Sequence, residues 1–323
     1  MKSIISTAQL EQYRRDGFLV VDGFYDEGEL ERLRSAVDDS VERRLAVVRA
    51  SKALRPWPAR VKTRVAALVG LSRANRIAAS VRAVLGKKRL PEGLDPAYAG
   101  FNWGLLNTNQ REEEGYCAQV YTQCLRLSAE SETLRALVLD RRLGEAVACL
   151  AGIDGVRLYH DQALFKQPFG NPTALHLDNP YWSFKSQRAL TMWVALDDTT
   201  LANGCLWYLP GSHLSATHGK AVHIGEDFAG LLKLYPEWRS IEPVACPCKA
   251  GSVVFHSGMT AHGAGVNLST RVRRAFACAF MPDGATFNGK QDVLPDDYFK
   301  SLQPGALLNR ESLHPLIWSR QQG

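Results

Sequence analysis

The chain changes its pattern of hydrophobic and polar positions near residue 156. Before that point apolar residues recur at helical spacing, for example at Leu33, Val37 and Val41, and a period of 3.6 residues places them on one face of an amphipathic helix. After that point short apolar runs alternate with turn residues, which is typical of antiparallel strands in a sandwich or barrel. The pattern therefore predicts a mainly β fold with flanking helices.

The amino-terminal part is predicted to fold as a helix, a strand and a second helix. Ser6 followed by Gln9 is a helix-capping pattern, the apolar run 18–21 predicts a short buried strand, and the second helix begins near Asp26. Further helices are predicted over 118–127 and 131–151. The predicted strands of the second half are 156–166, 173–177, 190–196, 205–209, 241–244, 252–256 and 273–280.

Candidate metal ligands lie on the second of these strands. His176 and Asp178 are separated by one residue, and because side chains alternate along a strand, the imidazole and the carboxylate point to the same side. A third ligand is expected from a distant strand, and His262 is the candidate, with His256 as an alternative. Two histidines and one carboxylate on one face of a metal are typical of non-haem Fe(II) oxygenases.

Two longer runs of sequence lie between the first two of these candidate ligands and His262. His176-x-Asp178, His262 and Arg273 are joined by the runs 189–198 and 203–213, which read ALTMWVALDD and NGCLWYLPGSH. This constellation resembles the phytanoyl-CoA dioxygenase family of Fe(II)/2-oxoglutarate oxygenases. The resemblance covers the opening of the chain and roughly 156–282. It implies a double-stranded β-helix core, a jelly roll of the cupin-like kind, with amino-terminal and inserted helices.

The resemblance implies a ligand set and its cofactors. His176, Asp178 and His262 are expected to bind Fe(II), with 2-oxoglutarate as the chelating cosubstrate and O2 as the second. In the family the sequence context after the distal histidine matches His262 and not His256.

The resemblance also implies partners for the cosubstrate. Arg273 has the family's spacing from His262, and its planar guanidinium can pair with the far carboxylate of 2-oxoglutarate. Arg271 is the alternative if the strand has begun by that residue. Thr191 matches a hydroxyl that bonds the Asp178 carboxylate, and Trp193 shares its face, either as a wall of the cosubstrate pocket or as core.

Candidate substrate contacts lie on either side of the metal pair. Asn179, Tyr181 and Trp182 follow it directly, although the two aromatic residues fit equally well as packing at the mouth of the barrel. On the preceding strand His160 and Gln162 are placed to face the cavity.

The region 41–90 carries a local excess of positive charge. It contains fourteen Lys or Arg against one acid, Glu42, so it carries +13 while the rest of the chain carries −7. We interpret the chain, 1–323, as one oxygenase domain with a jelly-roll core over 156–282 and a basic helical and loop insertion over 41–115. The insertion is either a solvated face or a cap that attracts an anionic substrate or an acidic carrier.

Other classes of protein are disfavoured. No apolar run approaches the roughly 18 residues that span a membrane, and the start lacks the apolar core of a signal peptide, so a cytoplasmic protein with no membrane partner is expected. Apart from Trp57 the basic region lacks aromatic residues for stacking, and it matches no nucleic-acid motif, so no nucleic-acid partner is expected. The seven scattered cysteines predict reduced, packing thiols. The oligomeric state is not predicted.

The sequence therefore predicts an Fe(II)/2-oxoglutarate-dependent dioxygenase. Its expected reaction is hydroxylation of an unactivated C–H bond of a small organic substrate, such as a natural-product intermediate or an acyl thioester, with release of succinate and CO2. Desaturation, cyclisation and endoperoxide formation use the same kind of site and stay open. A jelly-roll module that binds a ligand without chemistry is the alternative from another class, and a zinc hydrolase is disfavoured because no His-Glu-x-x-His motif is present.

Overall fold

The structure, a computed structural model, describes residues 4–53, 121–222 and 227–322. Its described α-helices number six, of which four lie in the first 151 residues. They are α1 (Thr7–Asp16), α2 (Glu27–Ala53), α3 (Glu132–Val138), α4 (Arg141–Ala151), α5 (Gly230–Leu234) and α6 (Asp296–Ser301). The Ser6 side chain accepts from the Gln9 backbone N–H and the Gln9 side chain accepts from Ser6 N–H, so the predicted capping pattern is present.

The strands form two antiparallel sheets. In chain order they are β1 (Phe18–Val21), β2 (Thr122–Leu125), β3 (Gly155–Lys166), β4 (Thr173–His176), β5 (Leu190–Ala195), β6 (Leu206–Tyr208), β7 (Val244–Cys246), β8 (Val253–Ser257), β9 (His262–Ala264), β10 (Arg273–Pro282) and β11 (Leu316–Ser319). The larger sheet has the order β1-β8-β5-β10-β3-β11, with β2 also paired to β3. The smaller sheet has the order β4-β9-β6-β7. The predicted mainly β class with flanking helices is therefore confirmed.

Two predicted helices differ from the structure. In the described part of 118–127 the chain forms strand β2, paired antiparallel with β3, because an open strand edge supplies hydrogen bonds that helical spacing alone does not reveal. The predicted helix 131–151 is two helices, since Asp140 interrupts it and caps α4 by accepting from the Arg142 N–H.

The outer face of the large sheet is covered by helices. Leu33 and Val37 of α2 join Leu143 of α4 in one buried cluster with Phe276 and Phe280 of β10. This cluster buries the apolar stripes of the amino-terminal helices, as the helical spacing predicts. The opposite face of the same sheet contributes Trp193, Ala275 and Ala277 to a second cluster, which also holds Leu206 and Tyr208 of the small sheet. The two sheets are therefore packed face to face.

The first residues of the predicted basic insertion belong to α2. Arg44 is buried, and its guanidinium binds the Glu130 carboxylate at 2.5 Å. This arginine therefore holds α2 against the chain before α3, and it does not contribute to a free basic surface. The remainder of 41–115, beyond Ala53, lies outside the described residues.

The strand registers define the inner face of the large sheet. His160, Ala279, Thr191 and His256 are successive partners across β3, β10, β5 and β8. Partners on adjacent strands point to the same side, so one row of the inner face carries two histidines and a threonine. In the adjacent rows β10 carries alanine, at Ala275 and Ala277. These small side chains leave space above the middle of this face.

The described cysteines carry free thiols, as predicted. They are Cys124, Cys149, Cys205, Cys246, Cys248 and Cys278. Within the described ranges, none of the helices combines the length and the apolar character that a membrane crossing requires.

Gly263 of β9 lies against the backbone of β4. A Cβ at this position would lie 2.6 Å from the carbonyl oxygen of Thr173, so a larger residue must push the two strands apart. We expect Gly263→Ala to lower the free energy of unfolding by about 1–3 kcal/mol, measured by urea denaturation of the metal-free protein. Gly219→Ala is the matched control because a Cβ there meets nothing within 4 Å. Equal midpoints for the two variants would contradict this reading of the strand contact.

Candidate active site

The predicted metal ligands meet at the edge of the small sheet. His176 ends β4 and His262 begins β9, and the two residues are direct partners in the ladder. Their rings lie 4.2 Å apart between centroids. Asp178 follows two residues after His176, so a strand pairing and a short loop bring all three side chains together.

The atoms of these side chains lie close enough together to hold one ion. Asp178 Oδ1 lies 3.5 Å from His176 Nε2 and 3.6 Å from His262 Nε2. Two donor atoms bound at about 2.1 Å to one ion lie no more than about 4.2 Å apart, and both distances satisfy this limit. One ligand atom from each of the three residues lies within 4.8 Å of the others. Among the described residues this is the group that could hold a metal.

Backbone carbonyls fix the tautomers of the two histidines. His176 Nδ1 lies 2.9 Å from the carbonyl oxygen of Ala174, and His262 Nδ1 lies 3.0 Å from that of Thr260. A carbonyl only accepts, so each Nδ1 carries the proton and each Nε2 presents its lone pair to the site.

The second oxygen of Asp178 is held from the large sheet. Thr191 Oγ1 donates to Asp178 Oδ2 at 2.7 Å, and His256 Nε2 lies 3.3 Å from the same oxygen. The hydroxyl of Tyr208 lies 2.9 Å from His256 Nδ1. His256, the alternative ligand, therefore approaches Oδ2 rather than the Oδ1 that faces His176 and His262, although its ring lies 4.3 Å from that of His262 between centroids. Tyr208 was not identified from the sequence, where it stands in an ordinary apolar run.

Electrostatics favours the protonation states that bind metal. Burial by itself raises the pKa of Asp178, but His262, His176 and His256 hold it well below its usual range. Burial, reinforced by His176, lowers the pKa of His262 well below its usual value. At neutral pH the site therefore presents a carboxylate and neutral imidazole, which are the ligating forms.

The inner face of the large sheet also carries a buried cation, at the start of β10. Arg273 is 4% exposed, and its Nε and Nη1 atoms have no hydrogen-bond partner. Its guanidinium carbon stands 5.3 Å from the centre of the Trp193 ring, in the range of a cation–π contact. An unpaired buried guanidinium is costly, so the geometry suits an anionic ligand.

The neighbouring arginines are engaged elsewhere. Arg271, the alternative clamp, is exposed. Arg274 is the next residue on β10, so its side chain points to the opposite face of the sheet. It pairs with Asp197 and Asp38 at 2.6 Å each. Within 271–274, Arg273 alone is a buried arginine without an acidic partner.

Comparison with known proteins decides the family. The family model for phytanoyl-CoA dioxygenase (PhyH) matches residues 107–275, just over half of the chain. The chain belongs to the phytanoyl-CoA dioxygenase family. The family predicted from the sequence is therefore confirmed.

The alignments with individual relatives cover different fractions of this chain. Phytanoyl-CoA dioxygenase domain-containing protein 1 of Rattus norvegicus is 32% identical over 128 residues, which are 38% of this chain and 44% of the rat protein. The protein of the same name from Bos taurus is 25% identical over 299 residues, 87% of this chain and 92% of that protein. The chain spans about half the length, or less, of several curated relatives that it matches.

A solved structure matches almost the whole fold. The non-heme alpha ketoglutarate dependent carbocyclase SnoK from nogalamycin biosynthesis superposes with a TM-score of 0.65 at 25% identity. The match covers 97% of this chain and 96% of SnoK.

The residues after Asp178 differ in how they meet the site. Asn179 is fully buried, its Oδ1 accepting from Ser186 N–H at 2.9 Å and lying 2.6 Å from His218 Nε2. The amide therefore fixes the loop, and the expected substrate contact of Asn179 stays a prediction. Trp182 is 5% exposed and belongs to a core cluster, which matches the packing alternative.

Tyr181 and Gln162 are each partly exposed, although the Tyr181 hydroxyl itself is buried. Tyr181 is partly exposed, and burial together with the Asp178 carboxylate raises its pKa to about 12. Gln162 lies on the inner face of β3, where its amide bonds the amide of Gln123 on β2. His160 lies on the same face, and its Nδ1 is buried without a hydrogen bond.

The segment 288–292, beyond the predicted core, packs on the loop that follows Asp178. Asn288 Nδ2 donates to the Trp182 carbonyl at 2.9 Å, and Lys290 Nζ donates to the Pro180 carbonyl at 2.6 Å. No motif in the sequence marks this segment, because its position depends on the return of the chain after β10.

Asp292 brings a carboxyl group to this end of the site. Tyr159 donates its hydroxyl proton to Asp292 Oδ2 at 2.7 Å, and the Asp292 backbone takes the left-handed conformation at φ 42°. Its side chain is accessible, yet surrounding protein, with a contribution from Asp178, raises its pKa to about 6. Such strained positions occur often at functional sites.

The hydrogen bond from Thr191 should support metal binding. We expect Thr191→Val to weaken Fe(II) affinity about 10- to 100-fold, because it frees Asp178 Oδ2 from its donor. The measurement is competition for Fe(II) against a chelator under anaerobic conditions. Met192→Leu on the same strand is the control, since Met192 packs in the outer cluster. Equal affinity in Thr191→Val and Met192→Leu would exclude this role of the threonine.

Proposed function

We propose that the protein is an Fe(II)- and 2-oxoglutarate-dependent oxygenase that hydroxylates an unactivated C–H bond of a small organic substrate and releases succinate and CO2. The observation that carries the proposal is the pairing of the His176, Asp178 and His262 ligand set with the unpaired buried cation of Arg273. A non-catalytic ligand-binding module, the alternative class, needs no such combination.

The three ligands would hold Fe(II) from one side. His176 and His262 present Nε2 and Asp178 presents Oδ1, and three such ligands leave the opposite positions open for cosubstrate and O2. Bound Fe(II) with 2-oxoglutarate and O2 supplies the oxidising power for attack on a C–H bond. The protein keeps Asp178 ionised through its histidine neighbours and keeps its free oxygen oriented through Thr191 and His256.

Arg273 would bind the far carboxylate of 2-oxoglutarate. Its guanidinium is desolvated and has free donors at Nε and Nη1, and a charge-assisted pair is strong in such surroundings. The Trp193 ring lies beside this guanidinium, 5.3 Å from its carbon, and we assign it to the cosubstrate pocket.

The strand order supports a jelly-roll core over 156–282. In that range the large sheet contributes β8-β5-β10-β3 and the small sheet β4-β9-β6-β7, each antiparallel and facing the other. The amino-terminal helices cover the outside, which fits a single domain over 1–323. A cap over 41–115 stays a proposal that rests on its charge.

The substrate would enter near Tyr181, Gln162 and the segment 288–292. An anionic or carrier-bound small molecule suits the basic region 41–90, while Asp292 at the same end offers an acceptor for a hydroxyl or amino group. Cyclisation is the second candidate reaction, because the carbocyclase SnoK matches nearly the full length of the chain.

Addition of Fe(II) and 2-oxoglutarate without oxygen tests the proposed cofactor site. We expect a weak visible charge-transfer absorption band in the unmodified protein and none in His176→Ala or His262→Ala, because each variant lacks one ligand. His213→Ala should keep the band, since His213 bonds the backbone of Arg14 in α1. Absence of the band in the unmodified protein would overturn the proposed function.

Removal of the guanidinium tests the clamp. We expect Arg273→Met to raise the concentration of 2-oxoglutarate needed for half-maximal succinate formation about 10- to 100-fold, because a charge-assisted pair of about 2 kcal/mol is lost. Arg271→Met is the matched control because Arg271 is exposed, and it should behave as the unmodified protein. The reverse outcome would move the clamp to Arg271.

A further inference from the structure

A second buried cation stands beside Arg273. Lys166, the last residue of β3, is the direct ladder partner of Arg273 at the start of β10. Lys166 is 0% exposed, and lysine is almost never fully buried unless it is paired. Partners in adjacent strands point to the same side, so both cations face the interior between the sheets.

The protein supplies no acid for this pair within its described residues. Lys166 Nζ donates to the carbonyl oxygen of Asn171 at 2.6 Å, which uses one of its three protons. The carboxylates at the nearby strand end are committed elsewhere, Asp197 to Arg274 and Asp198 to Lys249. Two like charges without a counter-ion are unfavourable in a buried site.

The surrounding backbone is shaped around the Lys166 side chain. Gly204 has a left-handed φ of +86°, and a Cβ there would lie 2.8 Å from Lys166 Cδ and 2.6 Å from the Gly265 carbonyl oxygen. The lysine stem therefore passes through a space that only glycine leaves open.

We propose that Lys166 and Arg273 together bind the far carboxylate of 2-oxoglutarate, so that the inner end of the pocket selects a dicarboxylic oxo acid. The inference rests on the proposed function and adds Lys166 to it as a cosubstrate-binding residue. Two cations for one carboxylate leave a net positive charge in the pocket, which disfavours an oxo acid with an uncharged tail.

The ionisation of Lys166 gives the site a second property. Burial, reinforced by Arg273, lowers the pKa of Lys166 to about 7. The other titratable neighbours of Arg273 are Cys205, Asp197 and Cys248. Burial raises the pKa of both thiols, so they stay neutral, and Asp197 is paired with Arg274. An incoming carboxylate favours charged Lys166. Binding therefore takes up a proton above about pH 7, and the affinity for 2-oxoglutarate falls as the pH rises from there.

Calorimetric titration of the Fe(II)-loaded protein without oxygen tests the proposal. The two probes are 2-oxoglutarate and 2-oxopentanoate, which has the same length but lacks the far carboxylate. We expect Lys166→Met to bind 2-oxoglutarate about 10- to 100-fold more weakly and 2-oxopentanoate within about twofold of the unmodified protein. Lys300→Met, at an exposed position of α6, is the matched control and should leave both affinities unchanged.

A second variant separates the effect of the Lys166 charge from the effect of its hydrogen bond to the loop at Asn171. Lys166→Gln keeps a donor for the Asn171 carbonyl but removes the charge, and it should show the same selective loss. Titration at pH 8 in buffers of different ionisation heat should show more proton uptake in the unmodified protein than in Lys166→Gln.

Three outcomes would overturn the inference or its basis. An unchanged affinity for 2-oxoglutarate in Lys166→Gln, or an equal loss for both oxo acids, would show that Lys166 only braces the loop. A lower unfolding temperature in Lys166→Met with unchanged 2-oxoglutarate affinity would show the same. Failure of the unmodified protein to bind either oxo acid would instead overturn the proposed function.

Discussion

The carboxylate of Asp178 joins the two sheets of the molecule. One oxygen faces His176 and His262 of the small sheet, and the other is bonded by Thr191 and approached by His256 of the large sheet. The geometry of the ligand set therefore depends on how the sheets pack, because neither sheet alone supplies both sides of the carboxylate. Tyr208 closes this arrangement by bonding His256 from the small sheet.

The inner face of the large sheet carries residues that suit ligand binding but stabilise the fold less than a packed apolar core would. Alanine at positions 275, 277 and 279 leaves space where larger residues would fill the core, and β3 places His160, Gln162 and Lys166 along the same face. Polar and charged groups there lose hydration without full compensation. The cost of burying these groups is offset when bound ligands supply their missing partners. The outer face of the same sheet also offsets it, because Phe276, Phe280 and the helices bury apolar surface there.

The candidate metal centre and the proposed substrate end are built from different parts of the chain. The ligands and their supporting hydrogen bonds come from strands and the short loop after β4, whereas the substrate end also contains the late segment with Asp292. Loops on a rigid scaffold can change while the scaffold keeps its chemistry. This division explains why the family and the ligand set are defined more closely than the substrate.

The sequence by itself determined the local chemistry of the site. Alternation along a strand put His176 and Asp178 on one side, and the runs around His262 and Arg273 identified the family, because these signals depend on residues close in the chain. It did not determine the strand β2, the engagement of Asn179 in its loop, the support from Tyr208 and His256, the pairing of Lys166 with Arg273, or the return of Asp292. Each of these depends on a register or a contact between distant segments. Such contacts are decided by the packing of the two sheets, which leaves no periodic signal in the residues that make them.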